Sequence, residues 1–332
     1  MTKLSASFKL TPTFPLIVEC KDDEAFCYNF FSGEFDVSVN ISIMEYSPKR
    51  GVVGSDLYKR LADRVEIVVT KEVGIIPEVP LTERGGRDFT KVTSYFNDLK
   101  GGYQEVAQSY YKRIINYFKF ELRQPFLETE YINDDELSNP VWFDSSGIDY
   151  GVVSLTHNVQ PIPGMSRSCL GIETLKTEHA NLVKKYIEKN NDTELFQQIL
   201  SDAQAAILSG DLRRATFELA VVCELSTKRK YFAENGISGL AFDYFEDKGK
   251  VKVTVIELIT KVASEVLGES FQTFSQEDYK NIDYLFRCRN KVAHRGQIMF
   301  KDDSGNVTIP DQECLEAWYS SVSTLLKWLL SK

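Results

Sequence analysis

The run Phe35-Asp36-Val37-Ser38-Val39-Asn40-Ile41-Ser42-Ile43 alternates apolar and polar side chains over nine positions. Successive side chains of an extended chain point to opposite faces, so a period of two gathers the apolar five on one face. That pattern predicts a half-buried strand of the antiparallel kind. Phe14, Leu16, Val18 and Cys20 alternate likewise, as do Val65, Ile67 and Val69. Beyond them the period lengthens. Phe89, Val92 and Phe96 open a helical pattern, Gly101-Gly102 predicts a break, and Val106, Tyr110, Ile114, Tyr117 and Phe118 resume it as far as Gln124-Pro125. Residues 126–156 return to short apolar pieces, among them Gly151-Val152-Val153. Residues 1–160 thus read as a strand-rich domain with a helical insertion.

Gln160-Pro161-Ile162-Pro163-Gly164 marks a linker over residues 161–170. After it the apolar spacing is helical. Leu175, His179, Leu182, Val183, Tyr186 and Ile187 fall on one predicted helical face. Phe196 to Ile207 form a second helix, ended by Ser209-Gly210, and Leu212 to Cys223 open a third, with Asn235-Gly236 as its stop. A fourth helix carries Ile256, Ile259, Ala263 and Val266 up to Gly268. Ser275 with Asp278 resembles a capping box and starts a fifth, through Tyr279, Ile282 and Phe286. Residues 297–309 read as a small hairpin turning at Asp302-Asp303-Ser304-Gly305-Asn306. A last helix buries Leu315, Trp318, Val322, Leu325 and Leu329. The expected class is α+β: the strand-rich domain, then an all-α helical bundle over residues 171–332 carrying a small β-hairpin.

A length of 332 residues, 43% hydrophobic and 26% charged, suits two ordinary globular domains. No apolar run approaches the ~18 residues of a membrane span, and none near the start is long enough for a signal-peptide core. Six scattered cysteines without C-x2-C spacing argue against structural zinc and disulfide scaffolds and fit a cytoplasmic protein. The net charge is −9. Residues 171–332 hold 21 Lys and Arg against 24 Asp and Glu, and the first 170 hold 18 against 24. Neither half is a generic phosphate-binding surface, so any nucleic-acid contact must be local. Only His157, His179 and His294 are available, too dispersed for a multi-histidine metal site, and no metal or cofactor is expected.

Phosphate-loop, dinucleotide-binding and zinc-protease motifs are absent, and Gly164-Met165-Ser166-Arg167-Ser168 fails as a nucleophile elbow at its last position. Glu19-Cys20-Lys21 supplies half of a metal-nuclease pattern but has no upstream aspartate to share the metal. Asp134-Asp135-Glu136 reads as a solvated turn. Cys223 reads as buried packing, as does His179 on its apolar stripe. Arg213-Arg214 and Lys228-Arg229-Lys230 read as solvated helix surface.

Chemistry concentrates in Arg287-Cys288-Arg289-Asn290-Lys291-Val292-Ala293-His294-Arg295, which carries four Lys and Arg and a histidine with no acid, and Gly296 ends it. Arg289-Asn290-Lys291-Val292-Ala293-His294 resembles the R-x4-6-H motif, commonly with Asn after the Arg, of the HEPN superfamily of helical ribonucleases. Gly210-Asp211-Leu212-Arg213-Arg214-Ala215 leading to Cys223-Glu224-Leu225 is similar to that family's longest helix with its buried glutamate. The hairpin and closing helix are like its Apea-like branch. The resemblance covers about residues 175–332 and leaves the first half unassigned.

At 100° per residue from Phe286, Asn290, His294 and Arg287 fall at about 40°, 80° and 100°, a stripe beside the expected buried face. Arg289 falls about 140° from His294. One straight helix does not aim both at one phosphate. Either the helix distorts near Gly296, or Arg287 is the working arginine, or a second subunit completes the site. The resemblance implies the last, a homodimer with paired motifs facing one cleft.

The resemblance further implies a metal-independent endoribonuclease, a toxin or antiviral-defence effector acting on RNA. Its expected catalytic residues are Arg289, His294 and Asn290, with Arg287, Lys291 and Arg295 binding substrate. The 2′-hydroxyl of RNA is the nucleophile, histidine moves the proton, and an arginine fork stabilises the phosphate oxygens. Asn290 orients either group or holds a phosphate oxygen. The acidic first domain then reads as a sensing or regulatory module, for a protein trigger or inhibitor. The rival expectation is a non-catalytic dimerisation or RNA-binding module, its arginines paired with Glu224, Asp278 or Asp283.

Overall fold

Tyr58–Val73 forms one long strand, β6, in a computed structural model that describes residues 2–21, 26–45, 50–51, 57–80, 88, 90–145, 150, 173–189, 193–232 and 253–332. The class is α+β, as expected. Two compact units divide the chain: described residues up to Lys189 fall in the first, and those from Thr193 in the second. Among the described residues no helix is long and apolar enough to cross a membrane.

In the first unit β1 (Thr2–Leu10), β2 (Leu16–Cys20), β4 (Phe35–Ile43) and β5 (Arg50–Gly51) all pair antiparallel with β6. β3 (Phe26–Ser32) extends the sheet beyond β4, and β7 (Val141–Asp144) extends it beyond β1. β1 and β2 run in succession along one side of β6, and Pro15, which has no N–H to donate, stands just before β2. Val37, Val39 and Ile41 are buried, as their alternation predicts.

The alternation misleads at β2. All five of its residues are buried, Glu19 and Ile17 included, because β8 (Leu175–Lys176) pairs parallel along its free edge. Glu19 Oε2 accepts from the Thr174 hydroxyl at 2.9 Å, and its Oε1 lies 3.6 Å from Lys176 Nζ. The half-motif of a metal nuclease is thus a buried tie between strands.

Gly101-Gly102 does not break the helix. α1 runs unbroken over Thr90–Asn116, because one face buries Val92, Phe96, Tyr103, Ala107, Tyr110, Tyr111, Ile114 and Ile115 over much of its length. That packing outweighs the roughly 1 kcal/mol each glycine costs a helix. A π turn at Tyr117–Glu121 follows, and Gln124 is fully buried. Its amide completes backbone pairing for Ile17: Oε1 accepts from the Ile17 N–H, and Nε2 donates to the Ile17 carbonyl, both at 3.0 Å. Asp134–Ser138 is a short helix, α2, capped by Asn133. Its Glu136 is buried rather than solvated and accepts from the Thr11 N–H and hydroxyl, each at 2.7 Å.

The domain boundary also moves. Leu175 is a strand residue, and α3 begins at Ala180 and ends at Lys189. Val183 and Ile187 bury into the first unit's core, whereas Leu182 is 59% exposed. Residues 173–189, expected in the helical domain, thus belong to the first. The expected linker, His157, Gly151-Val152-Val153, Gly164 to Ser168 and the Asn235-Gly236 stop lie outside the described residues.

In the second unit α4 (Leu195–Ser209) and α5 (Leu212–Tyr231) form an antiparallel pair. Gly210 turns the chain at φ +82°, a left-handed conformation that glycine adopts without steric cost. Asp211 then caps α5 through the Arg214 N–H. α6 (Val255–Glu257) passes through a π turn (Leu258–Val262) into α7 (Ala263–Leu267), stopped at Gly268. α8 (Phe271–Phe274) precedes α9 (Gln276–Arg295). β9 (Phe300–Lys301) and β10 (Val307–Thr308) make the expected hairpin, and α10 (Gln312–Ser331) closes the chain. α10 buries Leu315, Trp318, Val322, Leu325 and Leu329 against α4, α5 and α9. Cys223 is fully buried, and burial pushes its thiol well above the usual range, consistent with packing.

Candidate functional site

α9 carries the whole basic segment. The Ser275 hydroxyl donates to Asp278 Oδ2 at 2.7 Å and does not cap the backbone. The helix stays regular through Arg295, and Gly296, at φ +65°, caps it by donating its N–H to the Val292 carbonyl at 2.9 Å. No distortion rotates Arg289 towards His294.

Ile282, Leu285, Cys288 and Val292 form the buried stripe. Arg289 flanks it, and Asn290, His294 and Arg295 are exposed. His294 lies nearly opposite the core rather than beside it. Burial raises the Cys288 thiol to about 11, reinforced by nearby Cys314, so it is no ready nucleophile.

Both candidate arginines are engaged. Arg289 Nη2 lies 3.2 Å from Glu224 Oε1 on α5, and each side chain is about one-third exposed (31% and 33%). Glu224 is therefore only partly buried, unlike the glutamate the resemblance implies. Arg289 Nη1 also contacts Asn290 Oδ1 at 3.4 Å, while its Nε is buried without a partner.

Arg287 belongs to a second network. It pairs with Asp283 one turn earlier at 2.5 Å and with Asp303 of the hairpin turn at 3.1 Å, and it donates to the Lys301 carbonyl at 3.0 Å. Partial desolvation opposes ionisation, yet the two carboxylates hold this guanidinium above its ordinary value. Lys280 also binds Asp303, at 3.3 Å, and both cations lie over the Tyr284 ring. Asp283, foreseen as a partner, is used; Asp278 is not.

Between α5, the start of α6 and α9 lies an open cleft of about 480 Å³. Glu224 and Lys228 line it from α5, with Asp283, Phe286, Arg287, Arg289 and Asn290 from α9. Residues 253–256 and Leu258 supply its third side, largely apolar. The cleft thus gathers Arg287, Arg289 and Asn290, while His294, Lys291 and Arg295 do not line it. Arg214 pairs with Glu218 at 2.7 Å and Arg229 pairs with Glu194, as expected of solvated helix surface. Lys228 departs from that expectation, because it faces the cleft.

The Asp303 contact and the α6 wall were not foreseen. The hairpin was legible, but nothing local in its sequence says which helix it docks on. His179 ends a 3-10 turn at Thr177–His179, three-quarters buried by side chain and 3.9 Å from Glu178. Among the described residues no group of three His, Cys, Asp or Glu is placed to hold a metal ion. No family model matches this chain, and neither a curated protein nor a solved structure matches it.

Proposed function

We propose that this chain is a cytoplasmic, metal-independent endoribonuclease, a toxin or antiviral-defence effector that works as a homodimer through its second unit. One observation carries the reading: His294 stands exposed one turn beyond Asn290, on a helix whose Arg289 is held in place from α5 by Glu224. The 2′-hydroxyl of RNA attacks the adjoining phosphorus, forming a P–O2′ bond as the P–O5′ bond breaks. His294, through its ring nitrogens, takes the 2′-hydroxyl proton or gives one to the departing O5′. Asn290 orients a phosphate oxygen. Arg289 of the partner subunit offsets the charge of the transition state. Lys291 and Arg295 steer the RNA, and the acidic first unit restrains the nuclease until a protein trigger binds.

The test is cleavage by purified full-chain protein in EDTA. Products should end in 2′,3′-cyclic phosphate, and His294→Ala should lose about 10²–10⁴ in rate. EDTA-sensitive cleavage, or an unimpaired His294→Ala, would overturn the mechanism. A second reading, a non-catalytic dimerisation or RNA-binding module, is favoured by the carboxylates already engaging Arg287 and Arg289. RNA binding without cleavage under any trigger would leave that reading standing.

A further inference from the structure

Arg289 lines the cleft with its Nη2 on Glu224 and its Nη1 at 3.4 Å from Asn290, while its Nε is buried out of solvent's reach. Glu224 uses Oε1 in that pair, and its other oxygen has no protein partner among the described residues. A guanidinium held in place by ion pairing therefore stands beside a carboxylate oxygen without a protein partner, and both residues line the cleft. Val255, Ile256, Leu258 and Phe286 make much of the remaining wall apolar. The volume, about 480 Å³, falls inside the ~300–1,000 Å³ range of small-molecule sites.

A bare phosphate would be repelled by the carboxylate and would leave the apolar wall unused. A planar ring with apolar faces and a polar, donor-bearing edge uses both. Resting on the ribonuclease reading, we infer that this cleft is the base pocket of the enzyme and takes one unpaired guanine of the RNA. Guanine presents N1–H and N2–H2 donors that match a carboxylate, beside an O6 acceptor for the neighbouring guanidinium. Cytosine offers Glu224 only its N4 amine. Phe286 and Ile256 pack the ring faces. Asn290 and His294 are four residues apart, about 6 Å along the helix axis. A guanine seated beside Phe286 and Asn290 therefore sets the adjoining phosphodiester towards His294, and the pocket selects the site of cutting.

The experiment uses the full chain and labelled oligoribonucleotides made uncleavable by 2′-deoxy substitution at the cut. They differ at one base: guanine, inosine, adenine, cytosine or uracil. Fluorescence anisotropy should show guanine bound roughly ten- to a hundredfold more tightly than the other standard bases. Inosine, which lacks the N2 amine, should lose most of that preference. Glu224→Gln, nearly isosteric, should bring guanine and inosine close together, and Arg289→Lys, which keeps charge but not the fork, should weaken both.

Equal affinity for all bases, or an undiminished guanine–inosine gap in Glu224→Gln, overturns the pocket. Free GMP that competes as well as the oligonucleotide overturns its assignment to RNA in favour of a free nucleotide. Cleavage of all-ribose versions is scored separately. Guanine preference without cleavage sinks the nuclease and keeps the guanine site, and cleavage without preference does the reverse.

Discussion

Arg289 on α9 and Glu224 on α5 are joined at 3.2 Å, across 65 positions of sequence, where among the described residues the basic segment meets another helix's carboxylate. The pair fixes the arginine's side chain, and it sets the direction in which that arginine cannot point. About 140° of helix separates Arg289 from His294, and the regular course of α9 leaves that offset intact. Arg287 does not resolve it within the subunit, because Asp283 and Asp303 already hold its guanidinium.

Coupling between Arg289 and Glu224 should be modest. Both are one-third exposed, so solvent screens much of the attraction. A double-mutant cycle with Arg289→Ala and Glu224→Ala, read by urea unfolding, should give about 0.5–1 kcal/mol, shrinking in high salt. A coupling above about 3 kcal/mol would mean that the pair is desolvated as buried pairs are.

The offset also predicts a homodimer. Light scattering at micromolar concentration should report twice the mass of the 37.9 kDa chain. A monomer that nonetheless cleaves RNA with full dependence on His294 would show that one subunit suffices.

Gln124 should matter more than any charged residue of the first unit. Its buried amide satisfies the backbone N–H and carbonyl of Ile17 and also donates to the Glu173 carbonyl at 3.1 Å. Gln124→Ala strands those three groups and should cost at least about 3 kcal/mol by chemical denaturation, about 1–3 for each orphan. Gln124→Glu should be nearly as harmful, because a carboxylate cannot donate to the two carbonyls. A loss under 0.5 kcal/mol in either variant refutes this role.

Asp303 gives the hairpin contact a pH signature. Its carboxyl is held below the usual range, chiefly by the hydrogen bond from Lys280, with Tyr284 and Arg287 adding to it. A carboxylate whose folded value is depressed contributes stability above its unfolded value, ~3.9, and loses it as pH falls through the folded one. Asp303→Asn should therefore be less stable than wild type at about pH 6, with the gap closing at about pH 2–3. Denaturant midpoints at the two pH values measure it, and a gap that widens in acid has the wrong sign for this contact.

Local rules carried the sequence a long way. Period-two alternation located β4, and helical spacing with glycine stops at Gly210, Gly268 and Gly296 located the ends of helices in the second unit. The hairpin followed from its turn residues. Those rules work where neighbours in sequence suffice to define a buried face or a terminus. They failed at Gly101-Gly102, where a long packed face carries α1 through two poor helix formers. They failed again at β2, because burial of Glu19 depends on β8, which arrives from more than 150 residues away.

The candidate site divides along the same line. The sequence by itself determined that cations, an amide and a histidine share one helix end, and their angles around it, because a helix fixes those angles whatever surrounds it. Only the tertiary structure decided which of them are engaged. Glu224 on α5 takes Arg289, Asp303 on the hairpin takes Arg287, and the start of α6 encloses the cleft beside them. Ion pairs and cavities need groups a few ångströms apart in space, and separation along the chain does not record that distance.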